Sequence, residues 1–171
     1  SPSIAQMGSV IAEAQTRLDG DRRLAAAIKA AGNVELGFNL TLGEPRGNRD
    51  KPLAPYEKNA GVSAMAGFIP TESASLPIAQ LGEVAAGMGH MTLINAGDNS
   101  VRKAALFLNN YDVAFPNLAL TTAAAALNIP LSSLQLTNNT LKLGSFSLPT
   151  SEESVIYPHF YTPKAGAKSA F

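Results

Sequence analysis

The sequence of 171 residues contains no cysteine. Disulfide bonds, thiolate nucleophiles, zinc fingers built on cysteine and iron–sulfur clusters are therefore excluded together. The lack of cysteine does not assign a cellular compartment, because many of the larger periplasmic domains lack it too.

Charge is also scarce, at 15% of the residues, and 13 basic side chains are balanced by 13 acidic ones. A protein that binds nucleic acid normally carries a basic surplus or stripe that neutralises phosphates. This chain has no such surplus, so we do not expect nucleic acid among its partners. Its 46% of hydrophobic residues excludes disorder driven by charge, and its length suits one domain with a core.

No apolar run is long enough to cross a membrane. The longest, residues 113–131, is interrupted by two prolines and two asparagines, whereas a spanning helix needs about 20 apolar residues. The chain starts at Ser1 without the basic and apolar regions of a secretory leader. So abrupt a start leads us to expect a fragment of a longer protein.

Two helices are predicted at the N-terminus. Residues 3–18 carry small and large apolar side chains at 3-4-3-4 spacing on one face, namely Ile4, Met7, Ile11, Ala14 and Leu18. A second helix is predicted from Asp21, as its N-cap, to about residue 31, with Gly32 just beyond its end. The side chains predicted to face inward from this second helix are Leu24, Ile28 and Ala31.

Strands dominate the rest of the chain. Alternating apolar residues predict a strand over residues 33–42, and two short strands around a turn rich in Asn, Asp and Gly predict a hairpin. The ranges predicted as strands are 33–42, 60–69 (or a packed irregular piece), 91–94, 101–108, 134–137, 140–143, 145–148 and 155–157. Further helices are predicted at 75–87 and 115–127.

These elements predict an α/β or α+β fold. We expect a single mixed sheet with antiparallel hairpins and with helices packed on its faces. We also expect one domain over residues 1–171, with an N-terminal helix at 1–18 and a C-terminal tail at 158–171.

The residues that could carry chemistry form no catalytic or metal-binding motif. The two histidines, His90 and His159, have no carboxylate at helical ligand spacing, so neither a metal nor a cofactor is predicted. A nucleophile elbow and a phosphate-binding glycine loop are both missing from the sequence. We therefore predict that this chain is not an enzyme.

One stretch is more specific than composition. Residues 89–106 read GHMTLINAGDNSVRKAAL, and residues 115–120 read FPNLAL. This pattern resembles the type-two CHASE domains, the cyclase- and histidine-kinase-associated sensory extracellular modules. That family shows Gly-His before an apolar strand, an Asp-rich turn, an arginine in a second strand, and then a Leu-Ala-Leu helix start. Residues 21–34 and 143–150 are similar to other parts of the family pattern, so the resemblance spans roughly residues 19–157.

The resemblance implies the extracytoplasmic, ligand-sensing domain of a bacterial transmembrane signalling receptor. The domain would lie in the periplasm, tethered to the inner membrane in its parent protein. Its partners would be an unknown small-molecule ligand and, in the parent chain, transmembrane and cytoplasmic output domains such as a cyclase or a kinase. The ligand would act by its differential affinity for two conformations.

The N-terminal helix is the candidate element for signal transmission or for homodimerisation, because its apolar face has coiled-coil spacing. Alternatively, that face packs on the sheet of its own domain.

Within the resembling stretch, His90, Asp98 and Arg102 are the candidate ligand-binding residues. The structural alternative, which the residue types favour, is that Asp98 caps the turn and Arg102 holds it by hydrogen bonds. Two other functions stay open: a free-standing periplasmic protein that binds small molecules, and a hydrolase-like enzyme. The enzyme would require a nucleophile and a base that converge in one cleft.

Overall fold

The computed structural model of the chain describes residues 4–49, 53–58, 62–63, 67–95 and 100–158. This part has an α+β fold, which is one of the two classes that the sequence predicted. Its helices are α1 (Ile4–Leu18), α2 (Gly20–Ala31), α3 (Pro55–Lys58), α4 (Ala79–Gly82) and α5 (Leu118–Ala126), with a 3-10 turn at Leu131–Ser133.

The predicted single sheet is wrong, because the described strands form four separate three-stranded sheets. The strands are β1 (Glu35–Leu42), β2 (Val62–Ser63), β3 (Thr71–Ser75), β4 (Gly87–His90), β5 (Ile94–Asn95), β6 (Val101–Ala105), β7 (Phe107–Asn110), β8 (Val113–Pro116), β9 (Gln135–Thr137), β10 (Thr140–Leu143), β11 (Phe146–Pro149) and β12 (Val155–Ile156). Their orders are β3-β1-β4, β2-β8-β7, β12-β6-β5 and β11-β10-β9. Most of these strands have five residues or fewer, so each pairs with one or two neighbours and the chain then turns away.

The second predicted helix is α2, but its cap and its buried face differ from the prediction. Asp19, not Asp21, is the N-cap, and its carboxylate accepts a hydrogen bond from the backbone N–H of Arg22 at 2.9 Å. The buried side chains are Ala25 and Ile28, whereas Leu24 and Ala31, both predicted to face inward, are exposed. The small Ala25 side chain lets α2 pack closely, and α2 contacts α4.

The end of α2 follows the prediction. Gly32 adopts the left-handed conformation with φ of 68°, and its N–H donates to the carbonyl of Ile28 at 3.0 Å. This is the usual C-terminal glycine termination, in which a residue without Cβ adopts a positive φ at little cost.

The apolar face of α1 lies in solvent. Ile4 is 90% exposed and Leu18 is 82% exposed, and the side chains of Met7, Ile11 and Ala14 between them are exposed too. The alternative that this face packs on the sheet of its own domain is therefore wrong for the residues that the structure describes.

The hairpin of β7 and β8 is buried on both faces and separates two core clusters. Leu108 and Phe115 face the first cluster, while Phe107 and Ala114 face the second. The first cluster also contains Phe38, Leu40, Met88, Ala105 and Val155, and the second contains Phe68, Leu106, Leu120 and Leu141. Strands buried on both faces lose the alternation of polar and apolar residues, which is why residues 105–108 form a continuous apolar run.

Within the first cluster, an edge-to-face ring pair joins β1 to β8. The ring centroids of Phe38 and Phe115 lie 5.3 Å apart at an interplanar angle of 81°. The alternation predicted for residues 33–42 is confirmed at Phe38 and Leu40, which are buried, but Leu42 at the end of β1 is exposed.

The helix predicted at residues 75–87 is much longer than the helix that forms. Residues 71–75 form β3, and only one turn of helix, α4, follows. The helix cannot extend further because the N–H of Ala86 donates to the carbonyl of Val34 at 2.9 Å, and Gly87 then pairs with Glu35 of β1. The chain must be extended by Gly87 to begin this parallel ladder.

Two other predicted elements have different bounds. The strand predicted at 101–108 is divided at Leu106, where the ladder changes partner. The N–H of Leu106 still donates to the carbonyl of Ser154, next to β12, but its carbonyl accepts from the N–H of Asn117, next to β8. The helix predicted at 115–127 begins at Leu118, because Phe115 and Pro116 belong to β8 and Asn117 is the N-cap.

The three strands predicted at residues 134–148 are confirmed as the antiparallel meander β9-β10-β11. Asn138 and Asn139, in its first turn, have φ of 49° and 57°. Asparagine tolerates this conformation better than most residues, and two positive φ values in succession suit a two-residue hairpin turn.

Part of the predictions lies outside the described residues. The segment predicted at 60–69 is described only as β2 and as irregular chain from residue 67, and the tail beyond Pro158 is not described. The single domain over residues 1–171 stays a prediction. In the part of the chain that the structure describes, no helix has both the length and the hydropathy to cross a membrane.

Candidate functional site

The stretch that carries the sequence pattern folds around Asn117. Its side-chain oxygen accepts from the N–H of Leu120 at 2.8 Å and caps α5, while its amide donates to the carbonyl of Ala105 at 3.0 Å. Its backbone N–H donates to the carbonyl of Leu106 at 2.9 Å. One side chain therefore fixes the start of α5 to the junction between β6 and β7.

Strand β4 lies directly beneath the start of α5. A Cβ atom at Gly89 would lie 2.5 Å from the Cα of Leu118 and 2.8 Å from the carbonyl carbon of Asn117. Because both atoms belong to the backbone, no side-chain rotation relieves such contacts. Glycine at residue 89 is what allows the helix to approach the strand this closely.

His90, the next residue, is buried in the core. It is 1% exposed, and neither ring nitrogen has a hydrogen-bond partner within the described part of the chain. It pairs with Phe38 in the parallel ladder of β1 and β4, so its side chain lies on the face of the sheet that packs into the first core cluster. Burial lowers the pKa of His90 to about 4, so the imidazole is neutral near pH 7.

Arg102 lies in β6, which belongs to a different sheet from His90. It is exposed and takes part in at least one interaction. Asp98 lies outside the described residues. The structure therefore places His90 and Arg102 in different sheets, and the role of His90, Asp98 and Arg102 in ligand binding stays a prediction.

The predicted hairpin around Asp98 is confirmed in its strands. β5 and β6 are antiparallel, and Ile94 pairs with Lys103. The first strand is shorter than predicted, since residues 91–93 link β4 to β5 without strand structure.

Thr92, in this link, is a residue that the sequence did not single out. Its hydroxyl oxygen accepts from the N–H of Leu40 at 2.7 Å, and the hydroxyl donates to the carbonyl of Leu40 at 3.0 Å. The hydroxyl of Thr92 thus bonds the N–H and carbonyl of Leu40 in place of the backbone groups that a longer β4 would offer to β1. Thr92 has this role only because it contacts a strand some fifty residues earlier in the chain. The residues next to it in the sequence therefore give no indication of the role.

A second group of polar residues pins the loop after β1 to the turn between β7 and β8. The guanidinium of Arg49 donates to the carbonyl of Asn110 at 2.8 Å and lies over the ring of Tyr111, 5.1 Å from its centroid. The buried amide of Asn110 donates to the carbonyl of Thr71 at 3.0 Å, and the Thr71 hydroxyl donates to the carbonyl of Asn109. These donors are used within the fold, so we assign the group a structural role.

A groove that the sequence did not predict lies between β11 and β12. Its volume is about 630 Å³. Its lining is mostly apolar, with three residues that carry a hydroxyl group, and consists of Leu148, Pro149, Thr150, Ser151, Val155, Ile156, Tyr157 and Pro158. The ammonium of Lys103 lies 6.0 Å from the centroid of the Tyr157 ring. No local pattern could have identified the groove, because its two walls are edge strands of different sheets.

Metal binding has no candidate in the described ranges, where no three or more His, Asp or Glu residues are grouped to hold an ion. His159, the second histidine, lies outside those ranges.

No protein-family model matches the sequence, and no curated protein and no solved structure is detectably similar to it. The resemblance to the type-two CHASE domains therefore stays a prediction based on the motifs.

Proposed function

We propose that this chain is the extracytoplasmic ligand-sensing domain of a transmembrane signalling receptor, and that α1 transmits the signal by pairing with α1 of a second copy. The observation that carries the proposal is the uncovered apolar face of α1. The motifs of residues 89–106 and 115–120 support the sensory class, and the spacing on α1 supports the mode of coupling.

The face of α1 needs a partner for energetic reasons. Burying one large aliphatic side chain stabilises a protein by about 1.5–3 kcal/mol, and isolated helices of about 15 residues are marginal in water. Ile4, Met7, Ile11, Ala14 and Leu18 have the 3-4-3-4 spacing of coiled-coil core positions. A second copy of the same helix supplies a matching face.

The connection of α1 to the rest of the fold suits a transmitting element. α1 ends at Leu18, Asp19 interrupts the helix, and α2 follows with Ala25 and Ile28 buried in the domain. A change in the domain that moves α2 would therefore also move α1. A ligand biases this movement only by binding one of the two arrangements more tightly.

Cysteine cross-linking tests the pairing, since the chain has no cysteine of its own. We expect Ile11→Cys, on the apolar face, to form disulfide-linked dimers under mild oxidation. Ser9→Cys is the matched control, because residue 9 lies on the opposite side of the helix. Equal cross-linking of the two variants would contradict the pairing.

The receptor assignment has its own test, which is independent of α1. We expect the parent protein to contain an apolar run of about 20 residues before or after this domain. A parent protein without such a run on either side would exclude a transmembrane receptor, even if α1 formed dimers.

A further inference from the structure

We propose that the groove between β11 and β12 is a binding site for a small molecule with an apolar or aromatic body and one anionic group. This proposal does not rest on the sensory function, because the affinity of the groove is a property of the chain itself. It also concerns residues other than His90, Asp98 and Arg102.

The walls of the groove are held in place by the turn that connects them. The N–H of Ser151 donates to the carbonyl of Val155 at 2.9 Å, and the N–H of Val155 donates to the Ser151 hydroxyl oxygen at 3.2 Å. At the start of the turn, the N–H of Thr150 donates to the carbonyl of Asn139 at 2.7 Å. The groove is therefore preformed, as small-molecule sites usually are.

The same turn is also held by a backbone hydrogen bond to Leu106. Ser154 is fully buried with φ of 58°, an unusual conformation for serine, and its carbonyl accepts from the N–H of Leu106 at 2.8 Å. A strained residue persists only where the surrounding contacts hold it, so the shape of the turn is fixed by its packing on Leu106.

The lining requires an apolar body in its occupant. Leu148 and Tyr157 are 39% and 67% exposed, and two prolines extend the apolar surface beside them. An exposed aromatic ring binds a flat apolar group by stacking or by edge contacts.

A second strand is a poor occupant, although β11 lies at the edge of its sheet. The N–H of Thr150 donates to Asn139 of the meander. Because successive residues of a strand direct their backbone N–H and C=O groups to opposite sides, the backbone of Pro149 faces away from β10, toward the free edge of the sheet. Proline has no N–H to donate, and it therefore weakens pairing of a further strand at this edge. This favours a small molecule over an extended peptide.

The charge of the occupant follows from Lys103. Its ammonium lies 6.0 Å from the centroid of the Tyr157 ring, which lines the groove, and no carboxylate of the described residues forms an ion pair with it. An anionic group on a molecule that stacks on Tyr157 would lie within reach of this ammonium. Glu152 and Glu153 in the connecting turn carry the opposite charge, so the preference for an anion must be measured against that for a cation.

Three probes with the same ring make this measurement: indole-3-acetate, indole and tryptamine, which are anionic, neutral and cationic at pH 7. We expect the Kd to rise in that order, with indole-3-acetate about threefold tighter than indole, the size of one exposed ion pair. Chemical-shift changes in the NMR spectrum should map to the backbone amides of Leu148, Ser151 and Ile156.

Variants then separate the two parts of the site. We expect Tyr157→Ala to weaken all three probes about fivefold, because the ring contact is shared. Lys103→Ala should remove the difference between indole-3-acetate and indole, whereas Lys142→Ala, at an exposed lysine of β10 that does not contact Tyr157, should leave it unchanged. Tighter binding of tryptamine, or shift changes confined to α1, would overturn the proposal.

Discussion

The side-chain amide of Asn117 donates to the carbonyl of Ala105 at 3.0 Å, and this bond joins the start of α5 to the end of β6. The oxygen of the same amide caps the helix at Leu120. The backbone of Asn117 also pairs with that of His90 of β4 in an isolated parallel β-bridge. Two sheets and a helix therefore meet at one residue of the stretch that resembles the sensory family.

Replacing this residue tests the junction. We expect Asn117→Ala to lower the free energy of unfolding by about 2 kcal/mol, because the cap is lost and the Ala105 carbonyl loses its donor. Asn117→Asp retains the cap acceptor but not the donor, and should lie between Ala and the unmodified chain. Urea unfolding measures all three, and an Asp variant as destabilised as Ala would contradict the role of the cap.

The close approach of α5 to β4 gives a second prediction. Gly89→Ala should destabilise the fold by about 2–3 kcal/mol, since the new methyl group would overlap backbone atoms of Leu118. Gly20→Ala is the control, because nothing lies within 4 Å of a Cβ at that residue. We expect thermal unfolding to shift strongly for the first variant only; similar shifts would show that the approach is looser than described.

The hydroxyl of Thr92 gives a third prediction. Thr92→Val preserves the shape of the side chain but leaves the N–H and carbonyl of Leu40 without these partners. We expect a loss of about 2 kcal/mol in unfolding free energy. Thr92→Ser retains the hydroxyl and should lose much less, so equal losses in Val and Ser would exclude the hydrogen bonds as the cause.

The fourth prediction concerns pH and His90. Burial lowers the pKa of this imidazole to about 4, whereas in the unfolded chain it is about 6.5. Between these two pH values the unfolded state binds more protons than the folded state. Stability is therefore fully present above pH 6.5 and falls by about 3 kcal/mol as the pH decreases to 4.

Glu35 has the opposite effect over part of this range. Burial raises the pKa of its carboxyl, so its contribution to stability is present below the unfolded pKa and is lost as the pH rises through the folded pKa. Both proteins that are compared therefore carry Glu35→Gln, which removes the titration of this carboxyl. Unfolding free energy is followed from pH 7.5 to 4 with and without His90→Leu. The pH slope should shrink in the His90→Leu protein, and an unchanged slope would show that other groups cause it.

The sequence predicted the elements whose signals are local. Gly32 ends α2 because only a residue tolerant of positive φ fits there, and Asn138-Asn139 form a tight turn for the same reason. Alternation of apolar residues identified β1, and helical spacing identified α1. In each case the determining residues lie within a few positions of one another.

The elements that were missed depend on distant partners. β3 has the polar sequence TESAS and forms only because β1 is available for pairing. The break at Leu106 depends on a change of pairing partner from Ser154 to Asn117, and the short length of α4 depends on Val34. Propensity and periodicity contain no information about such partners.

The candidate site was predictable only as a stretch of chain. The motif located the junction around Asn117, but it could not show that His90 is buried or that Arg102 belongs to another sheet. The groove was not predictable at all, since Leu148 and Ile156 become neighbours only through the turn at Ser151 and Ser154.

Accessibility from outside the cell tests the central proposal most directly. A single cysteine introduced by Lys29→Cys lies on the exposed surface of α2, and this chain contains no other. The parent protein carrying this change is treated in intact cells with a small charged maleimide that passes the porins of an outer membrane but does not cross the inner membrane, with the parent protein lacking the change as control. If the domain is extracytoplasmic, the cysteine is labelled before the cells are opened. Labelling only after permeabilisation would place the domain in the cytoplasm and contradict the proposal.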